Sequence, residues 1–261
     1  MKKGLNENMD DRQRIINVIR EGLKDDENVY ALWLEGADGL GRTDSFSDVD
    51  FWLDVEDGTE EQILDKCEQL LSSLGNLDFI EKIDHPHRQI FQRNLHIEDM
   101  SEYLLIDICV QSHSRGGAGS TFYTDDIAEF PLVLFDKAEV ITILPPERMS
   151  VEELRPVFER CAAKYSQRPR LTKYIKRGRF LEAYSCFEAY VRQPIINMLR
   201  LIYTPRHYEY GYIHLSEHFP RKVVEELEEL YIITSVSDIE NLLEKADEIY
   251  YDAYNSLKGM M

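Results

Sequence analysis

The sequence predicts an α/β (α+β) domain with a mixed sheet over residues 1–148, followed by a C-terminal helical bundle domain over 149–261. Three observations carry this. Up to about residue 145, runs with a period of two alternate with runs of helical spacing, the signatures of strands and helices. From about 150 onward, helical spacing dominates. Between the two patterns lies Pro145-Pro146, a pair that punctuates rather than continues regular structure. The charge divides at the same place: residues 1–150 hold 32 Asp+Glu against 14 Lys+Arg, and residues 151–261 hold 17 against 16.

The elements follow in order. Residues 8–24 carry Ile15, Ile16, Val18, Ile19 and Leu23 at helical spacing. Val29 to Leu34 is an apolar strand ending in Glu35-Gly36. From Val49 to Val55, apolar Val49, Phe51, Leu53 and Val55 alternate with Asp50, Trp52 and Asp54, which marks a strand with two distinct faces. Thr59 to Leu74 is helical, with Thr59 as N-cap. Phe79–Ile83 and Arg88–Leu95 form a strand pair around His85-Pro86. Tyr103–Val110 is the most apolar strand, and Leu132–Phe135 and Val140–Ile143 add short outer strands. In the second half, Ser150 opens a capping box with Glu153, and a helix runs to about Tyr165. Leu171–Tyr203 is one long amphipathic stretch bent near Pro194. Ser216–Ile232 and Ser237–Leu257 complete the bundle, the last opened by a box of Ser237 and Glu240.

Composition excludes several function classes. A hydrophobic fraction of 43% with 11% aromatic residues is incompatible with a wholly disordered acidic chain. No stretch approaches the roughly 18–20 apolar residues of a membrane helix, and the start lacks the apolar core of a signal peptide. Four scattered cysteines without a C-x-x-C pair point to a reducing cytoplasm and away from a structural zinc site. A net charge of −19 opposes general binding to a polyanionic backbone, so nucleic acid is disfavoured as a partner.

The chemistry concentrates in residues 36–50. The first apolar strand ends in a turn bearing Gly36, Gly39 and Gly41, where a backbone can approach a phosphate closely. The chain then carries Asp48 and Asp50 at i and i+2, which period-two geometry places on one face. Paired carboxylates repel unless a divalent cation bridges them, and hard cations such as Mg²⁺ take such oxygens. Asp107 is a lone acid among Leu104, Leu105, Ile106, Ile108 and Cys109, expensive to bury without a partner. If its strand lies beside that of Asp50, the three acids make a cage. The plainer alternative is a turn cap, a solvent-facing acid and an edge-strand acid.

The run Gly36-x-x-Gly39-x-Gly41, Ser47-Asp48-Val49-Asp50 and Ile106-Asp107-Ile108 resembles the nucleotidyltransferase signature of the DNA polymerase β superfamily. Among its members the chain is most similar to small bacterial aminoglycoside and lincosamide nucleotidyltransferases, with Val133–Lys137, Tyr174–Glu182 and Val191-Arg192 as weaker points of likeness. The resemblance implies transfer of a nucleoside monophosphate, AMP from ATP, to a hydroxyl of a small and cationic acceptor such as an aminoglycoside-type antibiotic. It implies Mg²⁺ on Asp48, Asp50 and Asp107, with Asp107 as general base. The turn at Gly36 and Ala37, together with Ser47, would hold phosphate oxygens. One departure stands out: Ala37-Asp38 replaces the usual Ser followed by a neutral or basic residue. That departure keeps in view an alternative, a weakened or non-catalytic relative that binds a nucleotide or small ligand.

Positive charge for a triphosphate is sought in the second half. Eight basic residues lie between Arg160 and Arg179 with no acid among them. Lys176 is the first choice, from a Lys-x-Gly pattern in related helical domains, and Lys173, about one turn earlier, is the second. A solvated helix face is the plainer reading of that run. Arg115–Thr121 reads as a glycine-rich loop beside the site, His85-Pro86-His87 as a hairpin turn, and Glu188 as either an acceptor-facing or a surface acid.

Overall fold

In the computed structural model, which describes residues 2–260 and side chains from Asp11 onward except Ala118, the alternating runs of the first half become strands of one sheet. The order is α1 (Lys2–Leu23), β1 (Val29–Leu34), a one-turn α2 (Gly36–Gly39), β2 (Val49–Val55), α3 (Glu60–Ser72), β3 (Leu77–Ile83), β4 (Ile90–Ile97), β5 (Ile106–Ser112), β6 (Thr121–Tyr123), β7 (Leu132–Asp136) and β8 (Thr142–Leu144). Six strands lie in the order β3-β4-β5-β2-β1-β7. β2 and β5 run parallel and every other neighbouring pair is antiparallel, so the sheet is mixed. β8 leaves the main sheet to pair with β6, which corrects the expectation of a second outer strand there.

Period two sorts the sheet into two chemically different faces. Val49, Phe51, Leu53 and Val55 of β2, with Ile106, Ile108 and Val110 of β5, are fully buried in one cluster with Ile15 and Ile19 of α1 and Ile63, Leu64 and Leu71 of α3. Each such side chain contributes roughly 1.5–3 kcal/mol when fully removed from water. Arg93 of β4 lies within this face and is itself buried. Ion pairs to Glu61, Asp65 (2.8 Å) and Glu68 neutralise it and tie α3 to the sheet. The intervening residues face the other way: Asp50, Trp52 and Asp54 of β2, and Asp107, Cys109 and Gln111 of β5. That second face has only a small apolar cluster, Ala31, Trp33 and Phe122.

The chain forms two compact units, Met1–Glu147 and Arg148–Met261. The second is helical: α4 (Val151–Tyr165), α5 (Pro169–Ile175), α6 (Phe180–Phe187), α7 (Gln193–Tyr203), α8 (Leu215–His218), α9 (Arg221–Glu229) and α10 (Val236–Lys258). Its own core includes Leu171, Phe187, Ile195, Met198, Leu227 and Leu257. The long stretch expected from Leu171 to Tyr203 is broken at Gly178, whose φ of +63° is left-handed and ends a helix readily. The bend near Pro194 takes the form of a π-helical turn, Glu188–Arg192, because proline offers no backbone N–H to continue the α pattern. Pro220 divides the next stretch into α8 and α9. α10 is capped two residues earlier than expected, by Ser235 with Asp238 rather than by Ser237 with Glu240, and the Asp238 carboxylate also accepts from Thr234 N at 2.9 Å. Among the described residues no helix is long and apolar enough to cross a membrane.

Arg200 holds the loop that follows α7. It is fully buried and donates to the carbonyl oxygens of Gly211 (3.0 Å) and Ile213, to Thr204 Oγ1 (3.0 Å) and to His218 Nδ1 (2.8 Å). Arg200→Leu strands these acceptors and is expected to lower unfolding free energy by about 2–4 kcal/mol in urea denaturation. A loss below ~0.5 kcal/mol would mean that other contacts hold the loop.

Candidate active site

The polar face gathers its acids where β2 and β5 run side by side. Asp50 lies directly across from Asp107 in the parallel register, and Asp48 stands just ahead of β2. Glu35, one residue beyond β1, donates its backbone N–H to the Asp50 carbonyl at 3.1 Å. Across the sheet, Asn94 of β4 pairs with Asp107. Glu35, Asp50, Asp107 and Asn94 therefore form one row over four adjacent strands.

The glycine of the turn has a steric role. Gly36 has a φ of +55°, and a β-carbon there would sit 2.2 Å from Asp50 Oδ2. Only glycine leaves room for that carboxylate and accepts that backbone without strain. Ala37 lies in the one-turn α2, its carbonyl accepting from Arg42 N at 2.9 Å. The Ser47 hydroxyl is engaged locally: it accepts from Asp44 N at 3.0 Å and donates to Asp44 Oδ1 at 2.9 Å, closing the turn before β2. Lys173 and Lys176 belong to the second unit, near the end of α5. Both are exposed, with Lys173 Nζ 5.1 Å from the Tyr174 ring.

Burial and mutual repulsion set the electrostatics. Burial first, and then the charges of Asp48, Asp107 and Asp38, push the Asp50 carboxyl up to about 7. Asp107 is raised by burial and by Asp48, and this is opposed by Gln92, whose Nε2 donates to both carboxylate oxygens at 2.9 and 2.7 Å. Glu35 is pushed up to about 8, mainly by burial; its carboxylate accepts from Trp33 Nε1 at 2.7 Å. Asp54, further along the same face, is satisfied by Gln111 Nε2 (2.7 Å) and His113 Nδ1 (2.6 Å) and is a structural acid.

The donor set fits a hard divalent cation. Burial and the Asp48 charge raise the proton affinity of Asp50 and Asp107, and a bridging cation would relieve both. The side-chain carbonyl oxygen of Asn94 is buried and has no hydrogen-bond partner, an oxygen of the type such a cation takes. The three acids do not form a ready-made cage, however. Among the described residues no three His, Cys, Asp or Glu side chains stand in ligating positions. Gln92 donates to both oxygens of Asp107, which leaves each oxygen a further lone pair for a metal.

Four residues of this site escaped the sequence reading: Arg12, Glu35, Gln92 and Asn94. Arg12 lies on the apolar side of α1, one turn before Ile15 and Ile16, and that placement of a charge was its only signal. Gln92 could have been found from period two along β4, since it alternates with the inward Arg93. Glu35 adjoins Gly36, but nothing local announces its burial.

A mixed sheet with an acid pair entering one strand and a third acid on the parallel neighbour is how this chain resembles nucleotidyltransferases of the DNA polymerase β superfamily. No family model matches the sequence, and no curated protein matches it. Among solved structures, the chain is similar to an aminoglycoside 6-adenyltransferase from Bacillus subtilis, at 14% identity over 95% of this chain and 89% of that one, with a TM-score of 0.42. It is also similar to a spectinomycin adenyltransferase from Enterococcus faecialis with ATP and spectinomycin, at 9% identity, 97% and 99% coverage and a TM-score of 0.33. A STING-associated c-di-GMP synthase from Capnocytophaga granulosa gives 14% identity, 98% and 83% coverage and a TM-score of 0.33.

Proposed function

We propose that the protein is a nucleotidyltransferase that moves a nucleoside monophosphate, AMP from ATP, onto a hydroxyl of a small molecule. The observation that carries this reading is the pairing of Asp50 with Asp107 in the parallel β2–β5 register, with Asp48 two residues before Asp50. Asp48, Asp50 and Asp107 would hold Mg²⁺, which when bound neutralises charge on the transferring phosphate. Asp107 accepts the proton of the acceptor hydroxyl at its carboxylate as that oxygen bonds to the α-phosphorus and the bond to pyrophosphate breaks. Gln92, already on both Asp107 oxygens, orients that carboxylate. The turn at Gly36 and Ala37, with Ser47, is proposed for phosphate oxygens, and Lys173 and Lys176 for the triphosphate charge. In this reading the first unit is the nucleotidyltransferase domain and the helical unit binds the acceptor.

The acidic excess of the first half favours a cationic acceptor, because a field of one sign raises the local concentration of the opposite ion. An aminoglycoside-type antibiotic has that charge and the required hydroxyls. The test is incubation with ATP and Mg²⁺ across aminoglycosides, spectinomycin and lincosamides, with mass spectrometry of the products. One compound gaining the mass of an AMP group, with pyrophosphate released in equal amount, is the expected result. No modified compound anywhere in the panel would remove the antibiotic assignment. ATP binding in calorimetry without any pyrophosphate release would instead favour a non-catalytic nucleotide binder.

A further inference from the structure

We infer that Arg12 is a positioning residue for the metal-holding turn, acting through Asp38 and the backbone of Ser47 and Asp48; the inference rests on Asp48 and Asp50 being the metal-holding pair. Arg12 comes from α1, far from the turn in sequence, and is 4% exposed. Its Nε donates to Asp38 Oδ1 at 3.1 Å and its Nη2 to Asp38 Oδ2, a forked ion pair in which both side chains are buried. The same guanidinium donates from Nη1 to the Ser47 carbonyl at 2.9 Å and from Nη2 to the Asp48 carbonyl at 2.5 Å. One planar group thus joins the start of the glycine turn, at Asp38, to its end, at Asp48.

Two consequences follow from this geometry. Asp38, which by sequence looks hostile to a phosphate, is ion-paired with a buried arginine. The carbonyls of Ser47 and Asp48 are fixed toward α1, while the Asp48 residue remains exposed as the chain enters β2. Arg12 has four of its five N–H groups committed to these partners, so it serves as a strut and not as a phosphate ligand. An ammonium group cannot reproduce a fork plus two carbonyl bonds, so the role requires arginine and not merely positive charge.

The experiment uses the full-length protein with Mn²⁺ as the probe, followed by electron paramagnetic resonance, beside the melting temperature and amide hydrogen exchange of residues 37–48. Arg12→Lys and Arg12→Gln are both expected to weaken Mn²⁺ binding by about tenfold or more, measured below their melting transitions, and to speed exchange across the turn by about tenfold. A merely structural role would lower the melting temperature and leave Mn²⁺ affinity within about twofold of wild type; that result overturns the inference, as does full affinity in Arg12→Lys. Should the wild-type protein bind no Mn²⁺, the metal reading itself fails. The exchange data then decide the strut separately: unchanged protection of residues 37–48 in Arg12→Gln overturns it.

Discussion

Asp50→Asn is expected to reduce kcat/KM for nucleotidyl transfer by roughly 10²–10³-fold or more, while making the metal-free protein more stable. The loss of activity follows from its place in the row. Asp50 is the one acid flanked by Asp48 along the chain and by Asp107 across the parallel pair, and its proton affinity is raised first by burial and then by the charges of those two acids and Asp38. The gain in stability has the same cause. Its carboxyl stands at about 7 in the folded protein against an ordinary 3.8, so folding takes up a proton between those values, and the associated stability is lost as pH rises from about 4 to about 7. Asparagine keeps the shape and removes the charge. Thermal melts at pH 8 without divalent cation should show the variant more stable by on the order of 1–3 kcal/mol. Added Mg²⁺ should stabilise the wild type and not the variant. Transfer at near wild-type rates in Asp50→Asn would contradict the proposed chemistry outright.

Glu35→Gln is expected to flatten the pH dependence of stability. Burial is the main reason the Glu35 carboxyl rises from 4.5 to about 8, with Glu129 and Asp50 adding to it and the Trp33 indole opposing it. The folded protein therefore holds a proton through neutral pH that the unfolded chain releases near its ordinary value. The sign is fixed: the contribution is fully present below about 4.5 and declines until pH passes about 8. Glutamine is always neutral and keeps an oxygen for Trp33. Between pH 5 and pH 9, wild type should lose on the order of 1–3 kcal/mol more than the variant in urea denaturation. Parallel losses in the two proteins would show that Glu35 is ionised in the folded state.

The two predictions separate functions that the sequence presents together. Glu35 and Asp50 are joined by a backbone hydrogen bond of 3.1 Å, yet Asp50 is a proposed metal ligand and Glu35 a neutral neighbour that lowers the local negative charge. The physical difference lies in what surrounds each. Glu35 has the Trp33 indole on its carboxylate, whereas Asp50 faces two more acids. A protonated Glu35 leaves the row with fewer charges to compensate.

Local pattern was enough to find much of this molecule. Alternation along Val49–Val55 gave β2 with its two faces, because a half-buried strand must repeat every two residues. The isolated acid in Ile106-Asp107-Ile108 was visible as an anomaly for the same reason: it interrupts residues bound for the interior. Ser150 and Glu153 cap α4 as their spacing implies. Where two local rules competed, spacing alone chose poorly. Ser235 with Asp238 and Ser237 with Glu240 are both acceptable boxes, and the backbone that leads in from Thr234 selects the first.

By itself, then, the sequence located the segments that become α1, β1, β2, α3, β3, β4, β5, β7, α4 and α10, where the acid pair stands, and which strand holds the third acid. Each of these is a statement about neighbours in the chain, written in periodicity and in residue type. Only the tertiary structure decided that β5 lies parallel beside β2, putting Asp107 across from Asp50, and that Gln92 already occupies the Asp107 carboxylate. It also converted Asp38 from an obstacle into half of a buried ion pair with Arg12, 26 residues away. Such pairings depend on how α1 and the strands pack as a whole, and the energy of burying a charge is settled only when its partner's position in space is known.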